Sequence, residues 1–158
     1  MVLSQKRYRI YIMKIVVQRV SQAKCVVEGE VTGEIGKGYM LLVGFGHDDN
    51  KETARKYANK VAKLRVFEDE NNKMNRNIYD VNGAILSISQ FTLYVDTRKG
   101  NRPSFIDALG GQEAIELYEY FNDCLRELGL KVETGIFGAD MKVSLTNDGP
   151  VTIILEGL

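Results

Sequence analysis

The residues best suited to chemistry in this chain stand together in the run Ser89-Gln90-Phe91-Thr92-Leu93. A glutamine amide and a threonine hydroxyl two residues apart offer donors and acceptors to one small polar ligand. In a regular strand Gln90, Thr92 and Tyr94 share one face, while Ser89, Phe91 and Leu93 share the other. Taken alone, the run reads most simply as a half-buried strand. A second feature is Gly149-Pro150, inside Met141–Leu155, a stretch that otherwise reads as strand. Proline lacks the backbone N–H and fits sheets only at edges, ends or bulges. Asn147-Asp148-Gly149 before it is turn chemistry. The expectation is a kink that aims backbone carbonyls in a particular direction. Frequency favours a trans bond there. A cis bond would turn the Gly149 and Pro150 carbonyls in a way no side chain imitates.

Other chemistry is scarce. The one histidine, His47, sits in a loop beside Gly46, Asp48 and Asp49, and reads as structural or solvated rather than as part of a Ser-His-Asp set. No serine stands in a nucleophile elbow. Cys25 and Cys124 are far apart, in no redox or metal spacing. No metal and no cofactor are expected, since neither metal-ligand spacing nor a phosphate-binding glycine loop occurs. The loop Asp96–Phe105 carries Arg98, Lys99 and Arg102 around Gly100. It reads equally as a phosphate-wrapping loop or as an exposed turn.

The elements that must position these residues follow from periodicity. Met13–Val20 and Gln22–Val27 read as two strands, with Glu28-Gly29-Glu30 as a turn into Val31–Ile35. Tyr39–Phe45 is nearly all apolar, as in a strand buried on both faces. Asn50 is placed to cap a helix whose Ala54, Tyr57, Ala58, Val61 and Leu64 recur at helical spacing. Ala84–Val95 reads as strand carrying the first motif. Ala114, Leu117, Tyr118, Phe121, Cys124, Leu125 and Leu128 mark a second amphipathic helix, with Gly129 as its C-terminal cap. Many strands and two separated helices predict an α+β fold of largely antiparallel sheet packed with two main helices.

The chain of 158 residues, 44% hydrophobic and 27% charged, suits one soluble domain. Met13-Lys14-Ile15 reads as an ordinary start. Residues 1–12 are then an N-terminal extension and 13–158 a single domain. No run is long enough for a membrane helix, and the cysteine pattern suits a reducing cytoplasm. The net charge is zero, yet Lys51, Arg55, Lys56, Lys60, Lys63 and Arg65 face only Glu52 across one helical region. Asp107, Glu113, Glu116, Glu119, Asp123 and Glu127 face only Arg126 across the other. Two solvated faces, paired with each other, is the plainer reading. A basic flank for a phosphate backbone is the sharper one.

Together, in order, these segments resemble the D-aminoacyl-tRNA deacylases. The likeness runs from about Met13 to Leu155. Its motifs are Val17-Gln18-Arg19-Val20, Leu42-Val43-Gly44, His47-Asp48-Asp49, Ser89-Gln90-Phe91-Thr92-Leu93, Lys99-Gly100-Asn101-Arg102-Pro103, Phe137-Gly138-Ala139-Asp140-Met141 and Asn147-Asp148-Gly149-Pro150-Val151-Thr152. The resemblance implies a cytoplasmic homodimer that acts on aminoacyl-tRNA, with no membrane or DNA partner. The reaction it implies is hydrolysis of the ester joining a D-amino acid, or glycine, to the terminal adenosine. It implies that Gly149-Pro150 is cis and enters the site of the other subunit. Ser89, Gln90, Phe91 and Thr92 would line the receiving pocket as its catalytic group. Phe137 and Met141 would lie near the adenosine, Arg19 beside the Gly-Pro element, and Asn147, Val151 and Thr152 would hold the kink. Two other classes compete: a non-catalytic RNA-binding dimer, which would bind without turnover, and a general small esterase, which would not need tRNA.

Overall fold

The computed structural model describes residues 12–158. The expected extension therefore lies outside the described residues, except for Ile12, which is buried and whose carbonyl accepts the Tyr94 hydroxyl. Along the chain come β1 (Lys14–Val27), β2 (Glu30–Ile35), β3 (Gly38–Gly44), α1 (Lys51–Lys63), β4 (Phe67–Glu68), β5 (Met74–Arg76) and β6 (Ala84–Ser89). A 3-10 turn (Phe91–Tyr94), α2 (Gly111–Glu127), β7 (Val132–Thr134) and β8 (Lys142–Leu155) follow.

The main sheet runs β2-β1-β3-β6-β7, with β8 also paired to β1. β1 is antiparallel to β2, β3 and β8, while β3-β6 and β6-β7 are parallel. β4 and β5 form a separate small hairpin. The α+β class is as expected. The two strands expected at 13–20 and 22–27 are instead the single strand β1: Ser21 stays extended at an irregularity in the pairing with β8, which resumes at Gln22, between the β3 ladder that ends at Val20 and the β2 ladder that starts at Ala23. The turn from β1 to β2 places Glu28 and Gly29 at φ 49° and 79°, the left-handed pair that a two-residue hairpin requires.

β3 is buried on both faces, as its apolar run predicts. Tyr39, Leu41 and Val43 join the large core under the helices, with Tyr57, Val61, Phe121 and Leu125. Met40 faces a second core with Val20, Ala23, Cys25, Ile35, Leu86 and Ile88. That second face is covered because the sheet curls on itself. β2 comes so near β7 that a Cβ on Gly33 would lie 2.7 Å from the Thr134 carbonyl oxygen. Burying each large apolar side chain of these cores stabilises the fold by about 1.5–3 kcal/mol.

The first helix begins, and the second ends, as its sequence directs. Asn50 and Thr53 exchange side-chain and backbone bonds in a capping box. At the end of α2, Gly129 N–H donates to Arg126 O and Leu130 N–H to Leu125 O, a Schellman closure. The helices pack side by side, but among the described residues no ion pair joins the basic one to the acidic one. Arg55 bonds to the Tyr120 hydroxyl instead, and Lys51 lies 5.3 Å from the Tyr120 ring centre. Among the described residues no helix is long and apolar enough to cross a membrane.

Candidate active site

The strand expected over Ala84–Val95 stops at Ser89. β3 ends at Gly44, so the parallel ladder to β6 closes at the pair Val43–Ser89. Gln90 N–H still donates to Val43 O at 2.7 Å, and the chain then winds into the 3-10 turn. Gly44 permits this fold-back: a Cβ there would meet Tyr94 Cε2 at 2.9 Å and Gln90 O at 3.0 Å. Tyr94 anchors the turn from below, its hydroxyl bonded to the carbonyls of Ile12 and Gly44. Burial pushes that phenol's pKa up and keeps it a neutral donor.

The alternating faces expected for residues 89–94 are therefore replaced by a turn. Gln90 and Thr92 nonetheless meet, with Gln90 Nε2 donating to Thr92 Oγ1. Gln90 makes no side-chain cap bond to the turn. The first N–H groups of such a turn have no carbonyl within it, so Phe91 and Thr92 present backbone donors.

Ser89, Gln90 and Phe91 line a cleft of about 260 Å³. Val43, Gly44, Phe45, Ile88, Leu109, residues 137–141 and Val143 complete its lining. Phe137 and Met141 thus line the same cleft as Ser89, Gln90 and Phe91. Gly135 makes room for Met141, whose Sδ lies 2.4 Å from where a Gly135 Cβ would be. Phe91 is 55% exposed and leans edge-on against Phe105, with ring centres 5.2 Å apart. Phe91 and the half-buried Phe137 give the cleft aromatic surface, whereas Phe45, 3% exposed, lines it from within the core. Thr92 does not line the cleft; it backs Gln90. Leu109 also lines the cleft, and no motif of the sequence reading included it.

The remaining expected residues form a second cluster. Between Gln18 and Val20, β1 holds one residue, Arg19, where β8 holds four, 148–151. The surplus bulges outward. The Gly149-Pro150 bond in it is cis, and both residues are exposed. Arg19 is 5% exposed and fills the gap behind them. Its Nε donates to Asp148 O at 3.0 Å and its Nη1 to Val66 O at 2.7 Å. Asn147 ties the bulge from the other end: its Oδ1 accepts Val151 N–H at 3.2 Å, and its Nδ2 donates to Thr152 Oγ1 at 3.3 Å. Gly149 has φ +130°, a conformation that L side chains rarely adopt.

These two clusters do not meet within one chain. None of Arg19, Asn147, Gly149, Pro150, Val151 or Thr152 lines the cleft. Arg19 pairs with Tyr39 and Ser89 with Val43, four positions apart on β3, or about 13 Å along that strand. His47 also stands outside the cleft lining, with Nε2 2.6 Å from Ile106 O.

The family model described as D-Tyr-tRNA(Tyr) deacylase matches residues 16–156. The chain belongs to this family. A D-aminoacyl-tRNA deacylase of Anoxybacillus flavithermus is 59% identical over 144 residues, covering 91% of this chain and 99% of the relative. One from Thermus aquaticus is 56% identical, covering 91% and 95%. A solved structure described as a c-Myc DNA unwinding element binding protein superposes with a TM-score of 0.85 at 40% identity, covering 92% of this chain and 99% of that one. A probable eukaryotic D-amino acid tRNA deacylase superposes with a TM-score of 0.81 at 17% identity, covering 91% and 98%, and shares the fold.

Proposed function

We propose that this family member hydrolyses the ester of D-aminoacyl-tRNA in the cleft beside Ser89–Thr92, and that the Gly149-Pro150 bulge of a partner copy selects the substrate's hand. The observation that carries the reading is the division of the chain into an aromatic cleft and a rigid, outward backbone bulge that its own cleft does not use. As a cytoplasmic homodimer, each copy lends its bulge to the other's cleft. The Gly149 and Pro150 carbonyls then accept bonds from the substrate ammonium, and an L side chain would drive into the same backbone. Selection is by rejection at a fixed wall. Many D side chains remain acceptable, and so does glycine, including glycine mischarged on tRNA(Ala).

In the reaction, water adds to the ester carbonyl, the bond to the ribose oxygen breaks, and that oxygen takes a proton. A backbone N–H at Phe91 or Thr92 faces the oxyanion, and Phe91 is the one of the two that lines the cleft. The terminal 2′-hydroxyl of the tRNA helps activate the water. Thr92 as nucleophile is the weaker reading, because its Oγ1 accepts from the Gln90 amide. A nucleophilic hydroxyl needs a base to take its proton, and an amide N–H is not one.

The test measures release of amino acid from D-Tyr-tRNA, L-Tyr-tRNA and D-Tyr methyl ester. Hydrolysis of the first alone is expected. Equal loss of the D and L esters from tRNA would refute selection by the carbonyls. Cleavage of the methyl ester would make the protein a general esterase, and binding without turnover would make it an RNA-binding dimer. Thr92→Ala is compared with wild type acting on tRNA ending in 2′-deoxyadenosine. A large loss in the first and none in the second would sink the RNA-assisted step.

A further inference from the structure

Lys56, Lys60 and Lys63 follow one another at i, i+4 and i+7 on the outward side of α1, opposite its buried Ala54, Tyr57, Ala58, Val61 and Ala62. All three are exposed. Among the described residues none of them has an ion-pair partner. The nearby bases are already engaged. Arg55 and Lys51 rest on Tyr120, and Arg65 Nε donates to Asn75 O at 2.9 Å. The row spans about 10 Å along the helix. Only Glu52 interrupts the positive charge of α1, whereas the neighbouring α2 exposes Glu113, Glu116, Glu119, Asp123 and Glu127. A polyanion approaching this side is drawn to one helix and repelled by the other. The row is also joined to the cleft. Gly44 and Phe45 line the cleft, and α1 begins only a short loop later, so the helix and the cleft are neighbours along the chain.

We infer that the row Lys56-Lys60-Lys63 takes the phosphate backbone of the tRNA beyond its terminal adenosine. This rests on the deacylase reading, because it needs a substrate longer than the cleft. The row supplies affinity without reading sequence, and the acidic α2 fixes the side on which the RNA lies.

The experiment measures binding of uncharged full-length tRNA by fluorescence anisotropy, and turnover of D-Tyr-tRNA and of D-tyrosyl-adenosine. Wild type is compared with the triple variant Lys56→Ala, Lys60→Ala, Lys63→Ala. Alanine suits an exposed helix, so the variant keeps its fold. The exposed Lys131→Ala, on the loop before β7, is the control. The triple variant is expected to bind tRNA about tenfold more weakly at low salt, and its log-log salt slope to become shallower by about two to three. Its turnover of D-tyrosyl-adenosine stays at the wild-type rate, and the control is unchanged. Unaltered tRNA affinity in the triple variant overturns the inference. So does a change in its oligomeric state, which would give the row to the acidic helix of another copy. Wild-type binding of tRNA that depends on the row, without hydrolysis of either ester, would leave this surface standing and refute the deacylase reading instead.

Discussion

Replacing Gly44 by alanine tests whether the cleft's chemistry depends on the position of the 3-10 turn. The added Cβ would sit 2.9 Å from Tyr94 Cε2, 3.0 Å from Gln90 O and 3.4 Å from Leu93 Cδ1. Ordinary contact begins near 3.5 Å, so the turn must lift by about half an ångström. Tyr94 cannot swing aside, because its hydroxyl is bound to two carbonyls in the core. Gln90 O is itself held as acceptor for Leu93 N–H at 3.4 Å. Overpacking of this kind costs about 1–3 kcal/mol, which for a chain of this size lowers the melting temperature by on the order of 5 °C. Catalysis should suffer more. Misplacement by about an ångström costs roughly a hundredfold, so half of that predicts about a tenfold loss in kcat. The assay is single-turnover deacylation of D-Tyr-tRNA beside thermal melting, with Gly36→Ala as control. A Cβ on Gly36 meets nothing within 4 Å. If Gly44→Ala lowers the melting temperature but leaves kcat untouched, the turn does not position the reacting groups.

Gly149→Ala forces a Cβ to 2.9 Å from Val151 Cγ2 and 3.0 Å from Arg19 Nη2, at φ +130°. The expected result is a fall of tenfold or more in the D-over-L ratio of kcat/KM, and an unchanged ratio would remove this backbone from substrate selection. Asp49 gives a pH prediction. Burial raises its carboxyl pKa, against the lowering effect of bonds from Gly46, Thr53 and Met13. A raised folded-state value means that its contribution to stability is fully present below the ordinary value of about 4 and is lost as pH rises through the folded value. Asp49→Asn keeps an acceptor for Gly46 N–H and removes the charge. Urea midpoints from pH 4 to 7 should therefore decline less in the variant than in wild type, and parallel curves would contradict the assignment.

Much of the fold was legible because its signals are local. The apolar run 39–45, the Asn50 cap and the Gly129 stop each act over a few residues. What escaped were features decided by partners distant in sequence. Nothing in Ser89-Gln90-Phe91 tells that the ladder must end there. The reason is the end of β3 at Gly44, a neighbour brought alongside by a parallel crossover. Nor does Ser21 tell that β1 continues through it, since that follows from β3, β2 and β8 pairing along its length. At the candidate site, the motif residues were legible as a set, and the cleft joins Ser89, Gln90 and Phe91 to Phe137 and Met141. The outward bulge at 148–151 was not, because it arises from a count: one residue of β1 against four of β8.

The separation of bulge and cleft, about 13 Å along β3, has a genetic consequence under the proposed sharing. A chain damaged at Gly149 still owns a sound cleft, and a chain damaged at Gln90 still owns a sound bulge. Either alone forms dimers in which every site carries a defect. Mixed and reassociated at random, half of the dimers are hybrids, each with one site free of both lesions and one bearing both. Two defective alleles would then restore about a quarter of all sites, so defects at this locus would show complementation between alleles of the same gene.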